Sequence, residues 1–367
     1  LHDGGTDPVK PTATLSPTKN DGYDDYHNTF EPVYLPTFHP VSAATASMDG
    51  VDLLPVFDIN THLWSRHPVA VAEHCKDIDT TAPLYDQLDL SSSALTNPVA
   101  LATLRDGLSK YGDVFRPNPD GTLRSVKNPD GTTMLIDIPV VDDVPVRTRH
   151  FRFNPTMNDI VRTNVTSLQD RGIVSPNPNS AYASPHFCVP KPNPGEWRDV
   201  TDFRKLNMKI PLYTYPLCTE TDVFNCLGGS TMFSKMDLTS FFYQFKLNDR
   251  SRDLTTFVTS DGAFCYNYLP MGIKISPQIA QHAIDTVMCT KYDGPGKHHG
   301  KIALGNFVFP YMDDLICFNN EEEDPHHADY MVWIWQQLHK ANIQARIDKC
   351  MIGLRRISFL GHFIDQD

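Results

Sequence analysis

The sequence is short of paired cysteines, of long apolar runs and of positive charge, and each shortage excludes a class of protein. Its eight cysteines, at positions 75, 188, 218, 226, 265, 289, 317 and 350, are scattered, mostly inside apolar segments, with no C-x-x-C spacing. That pattern argues against a disulfide framework or a zinc site and predicts reduced, buried thiols in an intracellular protein. No stretch is long and apolar enough to cross a bilayer and no basic, apolar leader opens the chain, so no membrane partner is expected. The first residue is Leu1 rather than Met, which predicts a piece of a longer or processed protein. Lysine and arginine number 32 against 44 acidic residues, a formal charge of −12. The deficit is uneven: residues 1–140 carry 19 acidic and 9 basic side chains, residues 141–367 carry 25 and 23. This balance counts against tight nucleic-acid binding unless the cations are focused in a groove. Arg147, Arg149, Arg152, Lys191, Arg198, Arg204, Lys205 and Lys209 are the candidates for such focusing.

Regular alternation of strands and helices is also missing. Residues 1–95 are rich in Pro, Thr, Asp and Ser without sustained apolar periodicity, which predicts an acidic, mostly disordered linker. Asn97-Pro98 supplies an N-cap and a first-turn proline for a helix to Tyr111, stopped at Gly112. The pentapeptide NPDGT occurs at 118–122 and again at 128–132, two chain reversals before the extended run Met134 to Pro139. Residues 96–150 therefore read as a helix- and turn-rich lead-in. Asn154-Pro155 opens a helix with Met157, Val161, Val165 and Leu168 on one face, and Ser276-Pro277 opens another through about Met288. Asp324-Pro325 opens a third, with Ala328, Met331, Val332, Trp335 and Leu338 as the buried stripe and Asn342 as the stop. Strand-like runs lie at Phe187 to Val189, Trp197 to Thr201, Thr231 to Met236, Tyr243 to Leu247 and Ala263 to Tyr268. Strands mixed with helices in no βαβ order predict an α+β fold with an antiparallel sheet.

What is present and unusual is Tyr311-Met312-Asp313-Asp314, two adjacent carboxylates between the apolar runs 307–309 and 315–318. Flanking side chains that want a core, interrupted by acids that cannot be buried unpaired, predict two strands joined by a tight turn. An ordinary solvated turn is the plain alternative. A second acidic strand, Phe233 to Leu238 with Asp237 inside it, supplies the partner for a metal pair, since two-metal phosphoryl transfer sets ions about 3.5–4 Å apart between such carboxylates.

With these segments in place, the order of motifs resembles a reverse transcriptase, most closely that of Gypsy-type long-terminal-repeat retrotransposons. The resemblance runs from about Leu135 to Asp367 through Val144-Pro145-Val146-Arg147, Ala183-Ser184-Pro185, Trp197-Arg198, Asp202 to Asn207, Tyr215-Pro216-Leu217, Leu227-Gly228-Gly229, Phe233 to Asp237, Leu269-Pro270-Met271-Gly272, Ser276-Pro277, the Tyr311 to Asp314 turn and Phe359 to His362. It implies right-hand polymerase fingers (151–232) and palm (233–367) with an antiparallel palm sheet, thumb and ribonuclease H lying beyond. It implies RNA-directed DNA synthesis on an RNA or DNA template with a primer, from dNTPs, within a Pol polyprotein that also carries ribonuclease H and integrase. Two Mg²⁺ ions, with Mn²⁺ as a substitute, would be held by Asp237 and Asp313, with Asp314 as a helper rather than a full ligand, since neighbouring strand residues point to opposite faces. Lys191 and Arg198, flanking a Pro-Asn-Pro-Gly turn, would hold the triphosphate, and Leu238, Phe242, Met271 and Gly272 would line the nucleotide, Phe242 as the gate against a 2′-hydroxyl. Tyr311, Met312, Gly361 and His362 would meet primer and template.

Three departures from the family stand out: a polar insertion at 291–301, expected as a surface loop; Pro310, which removes a strand N–H just before the acidic turn; and Phe241, where a small residue is usual. They keep a second reading open, a decayed or co-opted remnant that binds nucleic acid or a protein without catalysis. An RNA-dependent RNA polymerase would share the palm acids, but the Trp-Arg motif and Phe242 favour DNA synthesis.

Overall fold

The computed structural model describes residues 83–118, 121–191 and 195–365. Helix α1, Pro98–Tyr111, is capped by Asn97, whose side chain accepts from the Val99 amide, with proline in its first turn. Strand β1, Leu135–Ile136, follows the two NPDGT turns. Helix α2, Pro155–Asp170, uses the same Asn-Pro start, and its buried face is Val161, Val165 and Leu168. Then come β2, Val174–Pro176, β3, Ser184–Pro190, β4, Trp197–Thr201, the single turn α3, Arg204–Asn207, and α4, Glu220–Leu227, begun by a reciprocal capping box between Thr219 and Asp222. Next are β5, Met232–Leu238, β6, Lys246–Leu247, α5, Asp249–Leu254, β7, Phe257–Thr259, β8, Gly262–Tyr266, and α6, Ser276–Met288. The chain closes with β9, Val308–Tyr311, β10, Asp314–Asn319, α7, His327–Lys340, β11, Ala345–Leu354, β12, Ile357–Phe359, and β13, His362–Ile364. Among the described residues no helix is long and apolar enough to cross a membrane.

Two sheets organise these elements. The palm sheet has the order β11-β5-β10-β9, every neighbouring pair antiparallel. A five-stranded sheet, β2-β8-β7-β3-β4, is mixed, because β3 and β7 run parallel, and it draws β7 and β8 from beyond residue 232, the expected end of the fingers. One palm face rests on α7, which is itself covered by α1: a β-carbon at Gly107 would sit 2.4 Å from Val332 Cγ2, so glycine sets the helix spacing. The other face is closed over part of its length by α4 and the β12–β13 hairpin, burying Val223, Leu227, Phe233, Phe309, Ile316, Phe318, Ile357 and Phe359 together. The α+β class and the antiparallel palm expected from the sequence are therefore present.

Several local expectations are corrected. Residues 83–95 are not linker: Leu84, Leu88 and Leu95 are buried, and the Ala94 amide donates to Gly353 O at 2.7 Å, docking the segment on β11. The remainder of the expected linker lies outside the described residues. Tyr243 to Leu247 is a single turn of 3₁₀ helix, Phe241–Gln244, followed by the two-residue β6, because Ser240 adopts φ 44° and turns the chain after β5. Asp324-Pro325 opens no helix but lies inside a 3₁₀ turn, Glu321–His326, and α7 proper begins at His327. Its buried surface is wider than the expected stripe, adding Tyr330, Trp333, Ile334 and Gln337 while Val332 is only half-buried, since α7 has neighbours on both sides. The 291–301 insertion is not simply a surface loop. Tyr292 is buried, packing edge-on against Phe307, Tyr330 and Trp333, and His298 joins the same cluster.

Candidate active site

Alternate side chains of a strand point to opposite faces. On β5, Phe233, Lys235 and Asp237 share one face, and the register sets Phe318 opposite Phe233, Ile316 opposite Lys235 and Asp314 opposite Asp237. The apolar end of this face lies under α4 and β12; at the acidic end Lys235, Asp237 and Asp314 are only half-buried. Strands β9 and β10 are joined by Met312-Asp313 alone, with Tyr311 paired to Asp314 across the turn. The expected hairpin is thus present. Met312 takes φ 55°, a conformation an L side chain adopts only under constraint.

The constraint comes from two sides. The Leu238 amide donates to Asp313 O at 2.7 Å, tying the turn to the end of β5. From α6, the buried Gln281 brackets the turn: its Nε2 donates to Pro310 O at 2.9 Å and its Oε1 accepts from the Met312 amide at 2.8 Å. Gln281 also donates to Asp285 Oδ1 at 2.8 Å, and the Tyr215 hydroxyl donates to Asp285 Oδ2 at 2.5 Å. Sequence reasoning passed over Gln281 and Asp285, a polar i,i+4 pair whose use appears only once α6 is docked on β9. Pro310 proves harmless to the sheet. It sits on the outer strand opposite Leu315, in an unbroken register, where the missing N–H faces the open edge.

Charge is unbalanced at the turn. Burial pushes the Asp313 carboxyl up to about 6, helped by the neighbouring Asp314 and Asp237. Asp237 is also raised by burial, against the pull of Lys349, whose Nζ lies 3.4 Å from Oδ2. Asp314 is neutralised by Lys235 at 3.1 Å. Its helper role was expected from strand parity, which would aim it away from the metal pair; the register instead places it on the face of Asp237, and the lysine takes up its charge. Asp237 and Asp313 offer only carboxylate oxygens in a half-buried place short of positive charge, a donor set that fits Mg²⁺ or Mn²⁺.

The nucleotide candidates are dispersed over the fingers and the start of the palm. The β3–β4 register pairs Val189 with Arg198, so Lys191 and Arg198 fall on one face of the hairpin. Lys191 pairs with Glu196 at 3.1 Å, while Arg198 Nε is buried without a hydrogen-bond partner. Asp202 and Arg204 form a local two-pronged pair at 2.7 and 2.8 Å, with Arg204 largely exposed. Leu238 has a buried side chain and its amide is spent on Asp313, so it offers a ligand little. Phe241 is buried against Phe245 at 5.1 Å, whereas Phe242 is half-buried. Met271 is half-buried, and Gly272, at φ 88°, accepts from Asn207 Nδ2 at 2.8 Å. Tyr311 lies half-buried against the apolar cluster of the palm. Gly361 follows Leu360 in a two-residue turn with φ of 51° and 79°, and His362, beside Phe224 at 5.1 Å, is exposed on β13.

A fingers hairpin bearing Lys and Arg, joined to an antiparallel palm whose acids gather at a strand end and a hairpin turn, is the architecture of a right-hand polymerase. Residues 189–364, a little under half of the chain, match the family described as reverse transcriptase (RNA-dependent DNA polymerase). The chain is 32% identical over 226 residues to the retrovirus-related Pol polyprotein from transposon 412 and 29% identical over 245 residues to that from transposon gypsy, both of Drosophila melanogaster. These matches cover 60% and 65% of the chain but 17% and 22% of the polyproteins, so the chain spans about a fifth of those relatives. In fold it resembles the foamy viral protease-reverse transcriptase solved with an RNA/DNA hybrid, with a TM-score of 0.62 and 19% identity over 77% of this chain and 35% of that one. The same enzyme in a dRH form with double-stranded DNA gives 0.63 and 18% over 83% and 48%.

Proposed function

We propose that the chain supplies the fingers and palm of an RNA-directed DNA polymerase working within a retrotransposon polyprotein, with a primed RNA or DNA template and dNTPs as substrates. The observation that carries this reading is the juxtaposition of Asp237 with Asp313, tied through the Leu238 amide, where too little positive charge is at hand for both carboxylates. Bound there, Mg²⁺ would supply the charge that acidifies a primer 3′-hydroxyl and braces the departing pyrophosphate. The chain's own groups do the positioning. Gln281 holds the turn so that Asp313 keeps its place beside β5. The unpartnered Arg198 Nε, with Lys191 on the same hairpin face, suits a triphosphate, and the planar guanidinium can bind two oxygens at once. Phe242 is assigned to stack beneath a deoxyribose, a role supported by its half-buried ring where Phe241 is committed to the core.

Primer extension on an RNA template tests the proposal. In a polypeptide carried past Asp367 through the expected thumb, the chain should extend a DNA primer with Mg²⁺, and Asp237→Asn or Asp313→Asn should abolish extension while leaving template affinity within about threefold, as expected for groups acting only at the reacting atoms. Extension that survives either substitution would refute the assignment.

A further inference from the structure

A second constellation lies on the opposite face of the hairpin that carries Lys191 and Arg198. Strand parity puts His186 and Cys188 on one face of β3, and the register places Asp199 of β4 directly across from Cys188 and Thr201 across from His186. The donor atoms of His186, Cys188 and Asp199 all lie within 4.8 Å of one another, the only such group of three among the described residues. His186 Nε2 is 3.4 Å from Asp199 Oδ1, and Cys188 Sγ is 3.5 Å from the same oxygen. Around a tetrahedral zinc ion, with bonds of about 2.0–2.3 Å, neighbouring donors stand roughly 3.3–3.8 Å apart. Both separations fall in that range.

A second observation points into the same space. The His186 side chain is fully buried, stacked on Phe257 at 4.5 Å, yet its Nε2 makes no hydrogen bond. The nitrogen is off the line to Asp199, as two donors are when both face a common third centre. Its other nitrogen, Nδ1, contacts Thr201 Oγ1 at 2.9 Å, and that hydroxyl meets the Tyr266 hydroxyl at 3.0 Å. A metal-binding imidazole is commonly oriented through its distal nitrogen in this way.

We propose that His186, Cys188 and Asp199 bind a thiophilic divalent cation of the zinc type. Imidazole, thiolate and one carboxylate select zinc over Mg²⁺, so the site is chemically distinct from the all-carboxylate palm. The fourth position falls to water, admitted where Asp199 keeps 16% of its side-chain surface, while Asn164 Nδ2 donates to Cys188 Sγ at 3.2 Å and so favours the thiolate. Without metal, burial and the Asp199 charge hold the Cys188 thiol up at about 12, so binding must expel its proton. The ion would join β3 to β4 at the base of the hairpin that presents Lys191 and Arg198. Spacing rules for zinc sites miss it because two ligands are strand neighbours two apart and the third comes from across the sheet.

The test is metal binding by the whole chain after chelator treatment. One equivalent of Zn²⁺ should bind and raise the melting temperature, and Co²⁺ in its place should show a near-ultraviolet thiolate-to-cobalt absorption. Cys188→Ser and Asp199→Asn should each weaken zinc binding on the order of 100-fold or more and remove the cobalt band, while Cys289→Ser, at an exposed cysteine, should change neither. No thiolate band in the unaltered chain, or a band that persists in Cys188→Ser, would overturn the proposal. The unaltered chain decides the matter alone if a variant fails to fold.

Discussion

Two titratable side chains, one buried and one half-buried, give stability opposite slopes with pH. His327 is enclosed, with Ser234 Oγ 2.6 Å from its Nε2 and Asn319 Oδ1 on its Nδ1, and burial holds it down at about 3. The unfolded chain takes up that proton near pH 6.5 while the native chain does not until about 3. This residue's contribution is therefore full above pH 6.5 and is lost as pH falls, at up to about 1.4 kcal/mol per pH unit. His327→Gln should flatten the slope of unfolding free energy against pH by close to one proton between pH 6 and about 4, as read by denaturant titration. Asp313 works the other way. Its native pKa of about 6 lies above the ordinary carboxyl value, so its ionised form is penalised above pH 6 and the penalty is relieved as pH falls through 6. A divalent ion needs the ionised form, so Mg²⁺ affinity measured by calorimetry should drop with pH below about 6, and Asp313→Asn should weaken binding and reduce that dependence to the part Asp237 contributes.

Among the elements, the contact of α1 with α7 offers the sharpest test. Glycine inside a helix costs about 1 kcal/mol relative to alanine, so Gly107→Ala would ordinarily stabilise. Here the new carbon meets Val332 at 2.4 Å, and overpacking of this kind costs about 1–3 kcal/mol. We expect a net loss for Gly107→Ala and recovery of most of it in the double variant with Val332→Ala, which makes room while keeping the propensity gain. A double-mutant cycle in denaturant measures the coupling. The helix starts themselves were legible beforehand: Asn97-Pro98 and Asn154-Pro155 carry their caps within three residues. The beginning of α7 was not, because Asp324-Pro325 satisfies the same local rule and the backbone spends it on a 3₁₀ turn instead.

For the molecule as a whole, residues 83–96 belong to the folded body. Leu84, Leu88 and Leu95 are buried, and a β-carbon at Gly353 would sit 2.6 Å from Leu95 Cγ. A chain starting at Asn97 should therefore melt lower than one starting at Pro83, by roughly 5 °C or more, since each buried leucine contributes about 1.5–3 kcal/mol before the entropy of ordering is subtracted. Equal melting temperatures in calorimetry would show the docking to be energetically idle.

What the amino-acid order determined by itself was local or periodic. Each NPDGT copy closes the same turn, with the glycine amide donating to the asparagine carbonyl at 2.8 and 2.9 Å, because asparagine and glycine carry that geometry within five residues. The acidic hairpin at 311–314 followed likewise from apolar runs that need a core and acids that cannot enter it unpaired. Only the tertiary structure decided which distant groups meet. Asp314 pairs with Lys235, Gln281 brackets the turn, Tyr292 enters a core from a polar insertion, and His186, Cys188 and Asp199 face one another. Parity along a strand states which face a side chain takes but not which strand lies beside it; that register is set by packing between segments far apart in the chain.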